Sequence, residues 1–473
     1  MKEKIRLEKL FIIVSLFIGT LLVILVPPFN SPDEETHFMY TYEVSRGKIL
    51  PSEEDNKSGH YIPSSIFGSM DKYKKIVGDK DAKYSYTEMY FDNGLSGDYS
   101  EYGFMKLNVQ EQPIIAYLAP AVGTRIAMNL RAYSGGKVNP EVLLQFARFF
   151  SLLIYSIIGY FAIKITPKFK NSFFAILLLP LSVFLRSMVS YDGFILVITA
   201  LVLANILRLI DTKNVKFRKR DFIFFVITGF ALLNVKTVYS VVFLGLLAVP
   251  NDVFDGKKKK WKKFISMAAL ILLISAARKL LYLGLPSESN PLFKEQIDFI
   301  IHHPFQYFKI LVHNVLSQLK IMSWWMLGVY GCLDTFVPLL IQFLIKIYLF
   351  IVIMMDAFYE KISISLKIKI GYFVFAVMAV FAMYSYMYIY WTPLVLEETG
   401  GGNITGVQGR YYIPLLLLLP IIFNNSIIGK MKKESKIKKI LDKSHELFIN
   451  NHYYFTVFSL VCMVIIIILR FYV

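Results

Sequence analysis

The sequence predicts an all-α polytopic membrane protein of about eleven transmembrane helices, and three observations carry that prediction. The composition is 56% hydrophobic and 16% aromatic but only 18% charged, where a soluble domain is nearer 25% charged. Its mean hydropathy is +0.52. The apolar residues come in blocks of roughly 17–25, the length that crosses a bilayer as a helix. Lysines and arginines gather in short segments between those blocks, which is the positive-inside pattern. A soluble globular domain and a disordered chain are excluded. The net charge of +18 is explained by the basic segments, so no nucleic-acid partner is implied. The two cysteines, Cys332 and Cys462, lie in or near apolar segments and form neither a disulfide framework nor a thiolate metal site.

In chain order the expected spans are 10–28, 142–163, 172–186, 193–209, 222–234, 237–249, 264–285, 336–355, 370–391, 411–428 and 453–472. The first follows a basic stretch without a small-residue cleavage site, so it reads as a membrane helix and not a removable signal. Six segments are basic: 2–9, 164–170, 208–220, 257–263, 361–369 and 430–443. Eleven spans put all six on one side, which the charge rule makes the cytoplasm, with the N-terminus inside a plasma membrane. The block 113–130 is apolar enough to be a twelfth span, but counting it would break that alternation. It carries Arg125, is followed by Arg131, and clusters its apolar residues on one face. It is expected to lie along the outer membrane surface. Residues 1–473 thus form a single membrane domain. Its outer segments are a large first loop, 29–141, a second at 286–335 and a third at 392–410. Residues 29–112 hold 15 acidic and 9 basic residues, unlike any inner segment.

Four constellations at the expected outer helix ends carry chemistry. The first is Ser31-Pro32-Asp33-Glu34-Glu35-Thr36-His37-Phe38. A capping box of Ser31 with Glu34, and Pro32 in the first turn, is one reading. It leaves Asp33, Glu35 and His37 unexplained, and a catalytic carboxylate is the other reading. The second is Ser187-Met188-Val189-Ser190-Tyr191-Asp192-Gly193, where Asp192 either caps the next helix or aims into the same cavity as Asp33. The third, Gly406-Val407-Gln408-Gly409-Arg410-Tyr411, places an arginine where the charge rule disfavours one. Arg410 is either a headgroup-level anchor beside Tyr411 or a phosphate clamp. The fourth is Lys236, which divides a long apolar run. It is either a plain turn residue or a cation facing an anionic headgroup. The pair His302-His303 points in two directions and makes no metal site. No P-loop, dinucleotide fingerprint or zinc motif is present.

The order of a basic N-terminus, one span, an acidic pair, a long outer loop and many further spans resembles the GT-C superfamily of membrane glycosyltransferases. More narrowly, the chain resembles an uncharacterised bacterial membrane-protein family, a domain of unknown function allied to GT-C. That resemblance rests on Pro32-Asp33-Glu34-x-x-His37-Phe38, Ser187-x-x-Ser190-Tyr191-Asp192, Lys236 before Tyr239, His303-Pro304, Gly331-x-x-Asp334 and Val407-Gln408-Gly409-Arg410-Tyr411. These motifs run over nearly the whole chain. Gln112-Pro113 resembles the entry to the juxtamembrane helix of such enzymes, with the departure that Gln112 replaces a lysine.

The resemblance implies transfer of a sugar from a polyprenyl-phosphate donor to a cell-envelope glycan on the outer face of a bacterial plasma membrane. The Lys- and Ile-rich composition suits a Gram-positive plasma membrane, with a wall polymer, teichoic acid or capsule as the expected acceptor. Asp33 inherits the role of general base, with Glu34 as the runner-up, in a single displacement that inverts the anomeric centre. Asp192 is implied to orient the acceptor. Arg410, Lys236 and Arg148 are candidates for the lipid phosphate, with His37 and Tyr411 as further binding residues. No cofactor is implied. A divalent cation on Asp33, Glu34 and Glu35 is the alternative. A transporter or flippase of lipid-linked glycans and a non-catalytic envelope-assembly scaffold are the competing functions.

Overall fold

The computed structural model describes residues 6–55, 57–85, 87, 99, 101–106, 113–133, 139–282, 290–425, 427–431 and 435–473, with only the backbone at 106, 131–133 and 429–430. Gln112 and the side chain of Arg131 lie outside them. The order runs α1 (Leu7–Leu25), α2 (Glu34–Ser45), β1 (Ser52–Glu54), β2 (Lys57–Pro63), α3 (Ser64–Lys74), β3 (Tyr102–Lys106) and α4 (Leu118–Tyr133). It continues with α5 (Pro140–Ile165), α6 (Lys170–Leu177), α7 (Pro180–Ser187), α8 (Tyr191–Asp211) and α9 (Lys219–Val235). A 3₁₀ helix (Thr237–Ala248) precedes α10 (Lys257–Leu280), α11 (Pro291–His302) and α12 (Pro304–Gly328). After the two-residue strands β4 (Val329–Tyr330) and β5 (Thr335–Phe336) come α13 (Leu339–Tyr359) and α14 (Leu366–Tyr390). Short helical turns then lead to α15 (Lys436–Phe471). The fold is thus nearly all helical. The antiparallel sheet β1-β2-β3 in the first loop, with Tyr61 opposite Phe104, was not expected from the sequence.

Among the described residues, six helices are long and apolar enough to cross a membrane: α1, α5, α8, α13, α14 and α15. The bent pair α6 and α7, which meet at 59°, makes a seventh if counted as one span. The expected span 172–186 is therefore broken, and Pro180 in the first turn of α7 explains the break. Four other expected spans fall short. Helix α9 has 17 residues. Residues 237–248 wind as a 3₁₀ helix of 12 residues, far longer than such helices usually run. Its carbonyls find outside donors, since Tyr372 donates to the Val242 oxygen at 2.9 Å and Lys260 to the Leu247 and Val249 oxygens at 2.9 and 2.6 Å. Helix α10 carries lysines in its first turns and Arg278 and Lys279 in its last. The block 411–428 is cut into short turns by Pro414 and Pro420.

The basic segments share one end of the bundle. Lys170 pairs with Glu8 at 3.7 Å and Lys168 with Asp211 at 3.7 Å. Arg208 pairs with Asp221, and Glu360 at the end of α13 accepts from the Phe169 amide at 2.8 Å. The opposite, loop-bearing end is tied by the chain's last residues. Arg470 pairs with Asp334 at 2.9 Å and donates to the Ile76 oxygen at 2.8 Å, and the Tyr84 amide donates to the Phe471 oxygen at 2.7 Å.

Helix α4, from the block 113–130 expected along the outer membrane surface, packs closely on α5. Tyr155 donates to the Ala116 oxygen at 2.9 Å, while Gly123 meets Phe146 and Phe150. Rising numbers on α4 therefore meet falling numbers on α5, and the two helices pack antiparallel along their length. Gly123 permits this, because a Cβ there would strike the Phe146 carbonyl. Leu118, Val122, Ile126 and Leu130, four apart, face away as an exposed ridge.

Candidate functional site

The segment after α1 is shaped by a buried ion pair and not by a cap. Helix α2 begins at Glu34, and no side chain caps it. The expected capping box of Ser31 and Glu34 is absent because Glu34 turns the other way. Arg148 on α5 grips it through Nε at 2.8 Å and Nη2 at 2.5 Å, and the Val189 amide donates to it at 3.0 Å. Arg148 also donates to the Val26 and Pro27 oxygens at 2.7 and 2.9 Å, covering the C-terminal carbonyls of α1. Both side chains are almost fully buried. The pair knots α1, α2, α5 and the α7–α8 link together. Glu34, expected as the runner-up base, and Arg148, expected as a phosphate candidate, are thus bonded to each other and to the backbone around the neighbouring residue.

That neighbour is Asp33, held at φ 62°, in the left-handed region. The reversal sends its side chain away from the Glu34 pair to Arg410, whose Nη2 donates to Oδ2 at 2.7 Å. Arg410 Nε lies 2.8 Å from Asp192 Oδ2, an ion pair off the line of a hydrogen bond. Asp192 does not cap α8. Ser190 does, its hydroxyl accepting from the Asp192 amide at 3.1 Å, which frees the Asp192 carboxylate for Arg410. Arg410 is buried, so it is no headgroup-level anchor. It is delivered there by close packing, since a Cβ on Gly409 would collide with the backbone of Trp325 and Met326.

Lys236 follows the last residue of α9, outside the candidate spans, and turns inward. Its Nζ sits 3.4 Å from the centre of the Tyr411 ring and 5.9 Å from those of Tyr191 and Tyr239. It is shielded from water and has no hydrogen-bond partner. Burial lowers the amine to about 8, against the pull of the Asp192 carboxylate. Tyr239 donates to the Tyr411 oxygen at 2.7 Å and steadies the ring under the ammonium. His37 shares a hydrogen bond with the Tyr117 hydroxyl at 2.8 Å and meets Tyr191 edge-on at 4.8 Å. Burial lowers His37 to about 4, so at neutral pH it is an uncharged imidazole.

Six of the expected site residues, Asp33, His37, Asp192, Lys236, Arg410 and Tyr411, therefore gather at one end of the bundle from four distant stretches of chain. Tyr117, Tyr191 and Tyr239 complete the cluster. Tyr191 and Tyr239 stood inside the sequence motifs, but only the fold shows that they lie around the Lys236 charge. Asp334 lies apart, committed to Arg470. His302 is exposed and its Nδ1 is 2.8 Å from the Asp298 oxygen. Arg186 gave no signal beyond ending an apolar block. It is wholly buried, donating to the Leu177 oxygen at 2.7 Å and the Ser15 hydroxyl at 3.0 Å. Among the described residues, no three His, Cys, Asp or Glu side chains are arranged to hold a metal ion.

A multi-pass helical membrane protein with a charged, tyrosine-lined cluster at one end of its bundle is the class that fold and site define. Residues 16–419 match the family described as predicted membrane protein (DUF2142), and the chain belongs to that family. No curated protein and no solved structure matches the chain.

Proposed function

We propose that the protein is a membrane glycosyltransferase of GT-C type. In this reading it moves a sugar from a polyprenyl-phosphate donor to a cell-envelope glycan on the outer face of the plasma membrane. The observation that supports this best is the meeting of Asp33, Asp192, Arg410 and Lys236 in one cluster. It holds two carboxylates and two cations, which suits proton removal beside a leaving phosphate. An apolar groove of about 540 Å³ starts at Thr237, next to Lys236. It runs between Val238 and Val241 of the 3₁₀ helix and Phe375 and Met378 of α14. The groove suits a hydrocarbon chain whose charged head reaches the cluster.

The chemistry needs no covalent intermediate. The acceptor hydroxyl gives its proton to Asp33 while its oxygen attacks the anomeric carbon. The bond from that carbon to the phosphate oxygen breaks, and polyprenyl phosphate leaves with the electron pair. Lys236 and Arg410 offset its charge, and Asp192 holds Arg410 in place. Glu34 and Arg148 fix the turn that presents Asp33. The outcome is inversion at the anomeric carbon.

The protonation of Lys236 gives a pH dependence. In the empty site the amine is charged below about pH 8 and neutral above it. Affinity for a phosphate-bearing lipid is expected to weaken as pH rises from 7 to 9.5, and Lys236→Arg is expected to remove that limb. Binding titrations across this range check it.

The reading is tested on the sugar composition of purified cell envelopes. A deletion strain is expected to lose one glycan substituent that wild-type complementation restores, and the missing sugar names the donor. An unchanged envelope, in a strain with a clear growth defect, contradicts it. The bent pair α6–α7, with Arg186 buried at its break, favours the second reading, transport of lipid-linked glycans, since transporters use discontinuous helices near the midplane.

A further inference from the structure

Formal charges in the cluster balance, two carboxylates against two cations, and Arg410 already faces both carboxylates. Lys236 is the cation left without a partner. Both cations lie against the Tyr411 ring, Lys236 Nζ at 3.4 Å and the Arg410 guanidinium carbon at 5.4 Å from its centre. The Tyr411 ring thus has as neighbours both of the charges a phosphate would draw on. The arrival of a phosphate adds negative charge to a balanced cluster, which favours the release of one carboxylate from Arg410.

The two carboxylates differ in what release would cost. The Asp33 side chain is 51% exposed and that of Asp192 only 9%. Water takes over the solvation of a freed Asp33, whereas a freed Asp192 stays buried without a counter-charge. Asp33 also makes no capping bond to α2, so its side chain is free to move once Arg410 turns away.

We propose that Arg410 masks Asp33 until a phosphate displaces it. The Asp33–Arg410 contact and phosphate binding exclude one another, so the phosphate-bearing partner binds first and its binding frees the carboxylate. The inference rests on the reading above only in taking the ligand's charged group to be a phosphate. It fixes an order: the anion enters before the group that gives up a proton to Asp33. A site with its carboxylate masked does not activate water or an acceptor in the absence of the anion.

The test uses the full chain in phosphatidylcholine nanodiscs, titrated with undecaprenyl phosphate, with undecaprenol as the uncharged control and inorganic phosphate in parallel. Wild type is expected to bind undecaprenyl phosphate and not undecaprenol, and Lys236→Met to lose that binding. Asp33→Asn removes the competitor and is expected to bind about 1.5- to 5-fold tighter, the range of an exposed ion pair. Carbodiimide labelling of Asp33 in the wild-type protein, read by mass spectrometry, is expected to rise when the phosphate lipid is added. The labelling decides the matter if the variant fails to fold. The same rise with inorganic phosphate alone supports the exchange and shows that the phosphate group suffices. Phosphate binding with unchanged labelling, or equal or weaker binding by folded Asp33→Asn, overturns the exchange and leaves the phosphate site standing. No phosphate binding by the wild type overturns both.

Discussion

Arg148→Met costs about 3–5 kcal/mol and empties the membrane of folded protein. That is the price of leaving a buried charge alone. The Glu34 carboxylate, with no exposure to water, loses both guanidinium bonds, and the carbonyls of Val26 and Pro27 lose their donors. The damage falls on stability because the pair joins α1, α2, α5 and the α7–α8 link. Melting of the detergent-solubilised protein, followed by fluorescence-detected gel filtration, is the measurement. A midpoint unchanged from wild type contradicts the structural role. The double variant Glu34→Leu/Arg148→Met separates the terms. It is expected to be more stable than either single variant, since it leaves no unpaired charge in the interior.

Asp33→Asn shows the opposite pattern. Folded protein stays abundant, because the side chain is half exposed and pairs with Arg410 near the surface. Under the proposed reading, transfer falls by about 10²- to 10⁴-fold, the usual worth of a general base. A fall in abundance that matches the fall in activity makes Asp33 structural. Full activity at normal abundance removes it from the mechanism. Glu34→Gln serves as the neighbouring control, since its loss of activity is expected to follow its loss of folded protein.

Much of the fold was legible. Composition and the lengths of apolar blocks located α1, α5, α8, α13, α14 and α15, since hydrophobic length is what a bilayer requires. Block length is blind to how the backbone winds. Residues 237–248 are apolar enough for an α-helix and instead form a 3₁₀ helix held by Tyr372 and Lys260 from elsewhere in the chain. Ser31-Pro32-Asp33-Glu34 has the local signature of a helix start, yet Arg148, more than a hundred residues away, outbids the cap for the Glu34 carboxylate. The charged members of the site were legible because a charge beside an apolar run needs a reason. Of their aromatic surroundings only His37 and Tyr411 were singled out, since tyrosines at helix ends look alike until the fold turns some of them inward.

The central claim is donor chemistry at this cluster, and consumption of the donor tests it most directly. The purified protein in nanodiscs is given polyprenyl-phosphate sugars and envelope glycan extracted from its own host. The account predicts that wild type releases sugar-free polyprenyl phosphate as the glycan gains sugar, and that Asp33→Asn at equal amounts does neither. Donor lipid that stays intact, while the wild-type protein carries it from one leaflet of a sealed vesicle to the other, contradicts the account.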